Sequence, residues 1–217
     1  FSVFPGHIKQ APIGMQRLAS RLNGHAAGNL VPSADVPAAY RERPIYYKCN
    51  RFSVVGDGTV VRWPSYSQYM DYELEFGIFI GKAGSDIPKS KARDHIFGFT
   101  IFNDFSARDA QYLEMRGMLG PAKGKDFDTG NVLGPWIVTA DELPDPYSLQ
   151  MTARVNGETW SSGTSAGMLH TFEDMIAFVS RDETVRAGEF FGSGTIGGGC
   201  GLELDRYLSD GDTVELE

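Results

Sequence analysis

The chain is poor in cysteine: Cys49 and Cys200 are the only two in 217 residues, 151 positions apart. That spacing is neither a disulfide framework nor a zinc-finger repeat, so a reducing compartment, the cytoplasm, is expected. Long apolar runs are missing too, and none approaches the roughly 18 residues of a membrane span. Basic residues are outnumbered, 20 against 28 acidic, and a net charge of −8 repels phosphate backbones and anionic lipid. No nucleic acid and no membrane is therefore expected as a partner. Phe1 is followed by no charged-then-apolar leader, so no signal peptide is expected, and the chain reads as what is left of a longer polypeptide. There is no internal repeat or low-complexity tract.

What is present is 41% hydrophobic and 12% aromatic, which at this length supports one domain with a core that needs no metal or disulfide. The charge is uneven: residues 1–64 carry eight basic and three acidic side chains, residues 65–217 twelve and twenty-five. The acidic excess is either solvated surface or includes carboxylates gathered around a cation.

Residues 1–50 are rich in Ala, Gly, Asn and Pro without a sustained period, and read as an irregular arm or lid; 51–217 read as the catalytic domain. From Phe52 short strands are expected at 52–56, 59–62, 72–81, 97–104, 132–139, 149–155, 157–160, 188–195 and 212–216, broken by turn residues such as Asn156-Gly157. Three short helices are expected. Two begin with capping-box patterns, Ser106-x-x-Asp109 and Thr171-x-x-Asp174, and a third covers 88–95. The fold class is mainly β (α+β).

The segment DYELEFGIFIGK alternates, with Leu74, Phe76, Ile78 and Ile80 on one face and Glu73, Glu75, Gly77 and Phe79 on the other. Two carboxylates at i and i+2 point the same way, either as an exposed strand end or as oxygen ligands for a hard cation such as Mg²⁺ or Ca²⁺. Asp104 ends the next strand, where it is either a turn residue or a third ligand. Arg108 and Gln111 share a helical face and are donors to an anionic substrate, unless Arg108 is the surface salt-bridge partner of a turn residue Asp104. Lys125 sits with Asp126, Asp128 and Thr129 in a Gly-rich loop, as a solvated charge pair unless it reaches the carboxylates.

Taken in order, DYELEFGIFIGK, IFGFTIFNDFSARDAQ, GKDFDTGNVLGPW, VNGE, GSGTIGGGCGLEL and DGD resemble the fumarylacetoacetate hydrolase family from about residue 45 to the end. The resemblance implies a mixed β-sandwich roll and commonly a homodimer. It implies metal ligands at Glu73, Glu75 and Asp104, a lysine near metal and substrate at Lys125, and substrate contacts at Arg108, Gln111, Gly194, Thr195 and, on a weaker match, Tyr47. FSVFPGHIKQA resembles the branch in which a His–Glu pair activates water, which implies His7 as base and Glu203 as its partner. A further metal ligand of that branch would precede Phe1.

The implied cofactor is Mg²⁺, or Ca²⁺ or Mn²⁺. The implied activity is hydrolysis of a C–C bond in a 2,4-dioxo acid or 1,3-diketone, of the fumarylacetoacetate or acylpyruvate type, through a metal-stabilised enolate. The alternative is decarboxylation of an oxaloacetate-type 2-oxo acid, or hydratase or isomerase chemistry, on the same fold. A silent metal-binding scaffold is the reading from another class. His25 lacks the neighbours of a lid-type histidine, and His95 and His170 read as packing and cap-adjacent residues.

Overall fold

The structure, a computed structural model, describes residues 1–26, 28 and 30–217. Its strands are β1 (Val54–Gly56), β2 (Met70–Asp71), β3 (Leu74–Ile80), β4 (Ile96–Asp104), β5 (Ser106–Ala107), β6 (Asn131–Thr139), β7 (Gln150–Val155), β8 (Glu158–Thr164), β9 (Phe190–Gly192) and β10 (Val214–Leu216). Its helices are α1 (Pro5–Leu22), α2 (Ala38–Glu42), α3 (Lys89–Ala92), α4 (Arg108–Met115), α5 (Phe172–Val179) and α6 (Gly201–Leu204). The main sheet is mixed, in the order β1-β6-β4-β3-β9, with β1 parallel to β6 and the remaining pairs antiparallel. A second sheet, β10-β7-β8, is antiparallel, and β2 pairs with β5.

The alternation in β3 decides which face meets the core. Leu74, Phe76, Ile78 and Ile80 are each 4% exposed or less, and Phe76 meets Phe172 of α5 edge-on at 5.1 Å. Helix α5 buries Phe172, Met175, Ile176 and Val179 and starts with the expected capping box, Thr171 and Asp174 exchanging bonds with each other's backbone N–H. Burying side chains of this size stabilises by about 1.5–3 kcal/mol each. The β7–β8 hairpin turns at Asn156-Gly157, both with positive φ as a type I′ turn requires.

The first fifty residues differ from expectation. Pro5–Leu22 form a helix, with Pro5 at its start, where the missing N–H costs nothing, and Ile8, Ile13, Gly14 and Leu18 buried. Gly14, Gly6 and the internal Pro12 depress helix propensity, so the sequence reads as irregular. Close packing compensates. A Cβ on Gly14 would lie 2.4 Å from the Leu202 carbonyl oxygen of α6, and one on Gly6 would lie 2.9 Å from Gly197.

Other boundaries shift. No strand forms over 59–62, and the expected 188–195 strand shortens to Phe190–Gly192, after which the chain turns along the edge of β3. The Ser106 capping box does not form. Ser106 lies in β5 with its hydroxyl on the Asp104 carbonyl, while Asp109 accepts from Ser67 Oγ and the Gln68 N–H.

Candidate active site

The antiparallel register pairs Leu74 with Asn103 and Glu75 with Phe102, so continuing it one step sets Glu73 opposite Asp104. Opposed residues of an antiparallel pair project to the same side, and Glu75 lies two residues along on that face. The three carboxylates are thereby brought together, each 5% exposed or less, with one oxygen from each within 4.8 Å of the others. Exposure, the alternative for the Glu-x-Glu pair, does not hold.

Lys125 reaches this cluster. Its Nζ donates to Glu73 Oε2 at 2.6 Å and lies 2.9 Å from Asp104 Oδ2, and the side chain is buried. The loop that delivers it is tied down by Glu114 of α4, whose carboxylate accepts from the N–H groups of Ala122, Lys123 and Gly124. Arg108 is also buried rather than a surface partner. Its Nε donates to Asp71 Oδ2 at 2.8 Å, and its Nη1 lies 2.8 Å from Glu73 Oε1 and donates to Gln111 Oε1 at 2.9 Å. The Tyr47 hydroxyl donates to Asp104 Oδ2. Gly194 N–H donates to Glu75 Oε2 at 2.9 Å, and Thr195 Oγ1 lies 3.4 Å from Glu75 Oε1. Gly194 adopts φ +86°, and a Cβ there would strike the Phe1 carbonyl oxygen at 2.3 Å.

Burial alone would raise all three carboxyl pKa values. For Glu73, Lys125 and Arg108 overcome burial and hold it well below its ordinary value. For Glu75, burial and then the charges of Asp104 and Glu73 push it well above. Asp104 is raised by burial, with Lys125 only partly offsetting that. Lys125 itself is raised, since Asp104 and Glu73 outweigh the desolvation that lowers it.

The site is short of positive charge. With all groups ionised, Asp71, Glu73, Glu75 and Asp104 against Arg108 and Lys125 leave two negative charges, which a divalent cation would cancel. Asp104 Oδ1 is buried without a hydrogen-bond partner among the described residues. The donors are all oxygen, which suits a hard cation. These residues fit a divalent ion.

A second group adjoins the first. Glu73 and Cys200 are bridged backbone to backbone, and Cys200 precedes α6, which carries Glu203. Glu203 Oε1 lies 2.6 Å from His7 Nδ1, and its Oε2 accepts from Gly198 N–H at 2.8 Å. His7 is on α1, so packing of α1 on α6 assembles this pair from residues 196 apart in sequence. A carboxylate only accepts, so His7 Nδ1 carries the hydrogen, and in the neutral ring the lone pair is on Nε2.

The remaining histidines take other places. His95 is buried with Nδ1 on the Lys82 carbonyl, His170 Nε2 meets the Tyr40 carbonyl, and His25 is exposed beyond the end of α1. Three contributors escaped the sequence reading: Asp71, Glu114 and Cys200. Asp71 had a signal, because it shares strand parity with Glu73 and Glu75. It is fully buried, and besides Arg108 it accepts from the N–H groups of Gly201 and Leu202 at the start of α6.

The family profile described as fumarylacetoacetate (FAA) hydrolase C-terminal matches residues 18–217. The chain belongs to the fumarylacetoacetate hydrolase family. It is 34% identical over 185 residues to an oxaloacetate tautomerase of Bacillus subtilis, covering 84% of this chain and 59% of that protein. It is 38% identical over 177 residues to a mitochondrial oxaloacetate tautomerase of Homo sapiens, covering 81% and 56%. The structure of a fumarylacetoacetate hydrolase from Exiguobacterium antarcticum superposes with a TM-score of 0.68 at 36% identity, over 76% of this chain and 58% of that one. The chain thus spans somewhat over half the length of these relatives. Its mostly β architecture is that of the family, although α1 is longer than the short helices expected. Among the described residues no helix is long and apolar enough to cross a membrane.

Proposed function

We propose that this chain is the catalytic part of a divalent-metal-dependent enzyme acting on a small 2-oxo acid, in which His7 oriented by Glu203 is the base. The reaction best supported is keto–enol tautomerisation of an oxaloacetate-type acid. The observation that carries the reading is the 2.6 Å His7–Glu203 contact, set beside a buried carboxylate triad by the Glu73–Cys200 bridge.

Glu73, Glu75 and Asp104 would hold the cation, which when bound supplies Lewis acidity toward the carbonyl and carboxylate oxygens of a 2-oxo acid and so acidifies the adjacent C–H. In the keto-to-enol direction His7 Nε2 takes the proton from that carbon and a proton is delivered to the carbonyl oxygen, which becomes the enol hydroxyl, and ketonisation runs the two transfers in reverse. Glu203 fixes the tautomer and stabilises the imidazolium, and such a base contributes about 10² to 10⁴ in rate. Lys125 sets a fixed positive charge against the oxygen that becomes enolic. Arg108, Gly194 and Thr195 position the carboxylates of the site, and Gln111 and Tyr47 complete the wall that the substrate meets. Two tautomerase relatives at 34% and 38% identity support proton transfer at carbon.

A second reading keeps the same base and moves its proton. If His7 deprotonates water, the site hydrolyses the C–C bond of an acylpyruvate or fumarylacetoacetate-like diketo acid. The 36% identity to a structure named fumarylacetoacetate hydrolase favours it. Decarboxylation of oxaloacetate needs no such base and leaves the His7–Glu203 pair without a task.

The test is an assay of the full-length protein on enol-oxaloacetate and on acylpyruvates, with and without EDTA. Chelator-sensitive ketonisation exceeding acylpyruvate cleavage supports the first reading. Chelator-sensitive cleavage alone supports the second. Turnover indifferent to EDTA and to His7→Ala would remove both.

A further inference from the structure

Cys200 has no task in that chemistry, yet its thiol is fully buried beside the base. Its Sγ lies 3.5 Å from Glu203 Oε1 and 4.0 Å from His7 Nδ1, and Glu203 Oε1 is 2.6 Å from His7 Nδ1. One imidazole nitrogen, one sulfur and one carboxylate oxygen thus converge, with the His7 and Glu203 side chains only 14% and 3% exposed. A thiolate, an imidazole and a carboxylate are the ligand set of borderline-soft ions, whereas the neighbouring triad offers only oxygen.

We propose that His7 Nδ1, Cys200 Sγ and Glu203 Oε1 form a second, inhibitory cation site, selective for transition ions of the zinc type over Mg²⁺ and Ca²⁺. The spacings are close to what such an ion needs. Tetrahedral bonds of about 2.3 Å to sulfur and about 2.0–2.1 Å to nitrogen and oxygen place the ligand atoms about 3.4–3.6 Å apart. The sulfur–oxygen distance already matches, the sulfur–nitrogen distance must close by about 0.5 Å, and the nitrogen–oxygen distance must open once the hydrogen between them is gone. These are side-chain adjustments. Three protein ligands leave the fourth position of a tetrahedral ion to a water molecule.

The proton balance explains why occupancy inhibits. The thiol gives up its proton to solvent as Sγ becomes a thiolate ligand. The Nδ1 hydrogen leaves, and Nε2 takes one up, so the ring stays neutral and binding releases one proton in all. The lone pair that serves as base is then gone from Nε2, and Glu203 no longer holds the ring through a hydrogen bond. Inhibition rests on the base role proposed above for His7. Binding itself does not.

The experiment titrates full-length, Mg²⁺-saturated protein with Co²⁺ and then Zn²⁺. Thiolate-to-cobalt charge transfer in the near ultraviolet reports a sulfur ligand directly, without reference to activity. The band is expected in wild type and in Cys49→Ser, to disappear in Cys200→Ser, and to be displaced by Zn²⁺. In Glu203→Gln and His7→Ala, whose folding is checked by circular dichroism, Co²⁺ affinity is expected to fall by at least about 10-fold. These two variants keep the test decisive if Cys200→Ser does not fold. No band, or a band that survives in Cys200→Ser or is lost in Cys49→Ser, overturns the site. A band with Zn²⁺ binding but no inhibition supports the site and removes the base role of His7.

Discussion

Asp71 links the two halves of the site, and replacing it with asparagine measures what that link is worth. The substitution is isosteric, so it opens no cavity and reports on charge and hydrogen bonding alone. Asp71 is fully buried, accepts from Arg108 Nε at 2.8 Å, and accepts from Gly201 and Leu202 N–H at 2.7 and 2.8 Å. Asparagine keeps one accepting oxygen and turns an N–H₂ toward donors. Removing one partner of a buried ion pair costs about 3–5 kcal/mol, and the contact from Arg108 to Glu73 that survives puts the loss near the lower figure. With a urea slope of about 2–3 kcal/mol/M for a domain of this size, the midpoint should fall by about 1–1.5 M. Urea unfolding followed by tryptophan fluorescence and circular dichroism, with the exposed Asp210→Asn as control, reads this shift. Because Asp71 also holds the start of α6, which carries Glu203, turnover should fall as well. A midpoint within about 0.3 M of wild type would refute the reasoning.

Glu75→Gln should stabilise the metal-free protein at neutral pH. A carboxyl raised in the folded state contributes its full stability below its ordinary value of 4.5 and loses it as pH rises through the folded value, so in EDTA the variant and wild type should converge near about pH 4 and separate above it. Excess Mg²⁺ should reverse the order, since ligand at 100 times its Kd adds about 2.7 kcal/mol to wild type, read as a Tm shift. Gly14→Ala should cost about 1–3 kcal/mol and lower kcat, because its Cβ forces α1 and His7 away from α6; unchanged values in both would show that the close approach is not needed. Thr171→Ala should cost about 1 kcal/mol in thermal unfolding and leave kcat alone, since its capping box sits on α5, away from the carboxylates.

Much of this was legible in the chain because period-2 patterns are local. DYELEFGIFIGK declared the buried face of β3 and the shared direction of Glu73 and Glu75, and Asn156-Gly157 declared its hairpin. Helix α1 was not legible. Its glycines and Pro12 oppose helix formation locally, and what favours them is contact with Gly197 and Leu202, far along the chain. The Ser106 pattern misled for a related reason: Asp109 is claimed by Ser67 and Gln68, so no box closes. The residues of the candidate site were named through family likeness, and so was the pairing of His7 with Glu203, but the groups that hold the other side chains were not. That Arg108 is held by Asp71, and Glu75 by Gly194 and Thr195, are contacts across separate elements that spacing does not encode.

In the proposed reaction His7, held by Glu203, moves a proton at the carbon beside a 2-oxo group. Its most direct measurement is deuterium exchange at that carbon of oxaloacetate or pyruvate, followed by NMR in D₂O on metal-saturated full-length protein. The His7→Gln variant is expected to lose exchange by about 10² to 10⁴ while its affinity for oxalate stays that of wild type. Exchange at the wild-type rate in that variant, with oxalate still bound, would contradict the account.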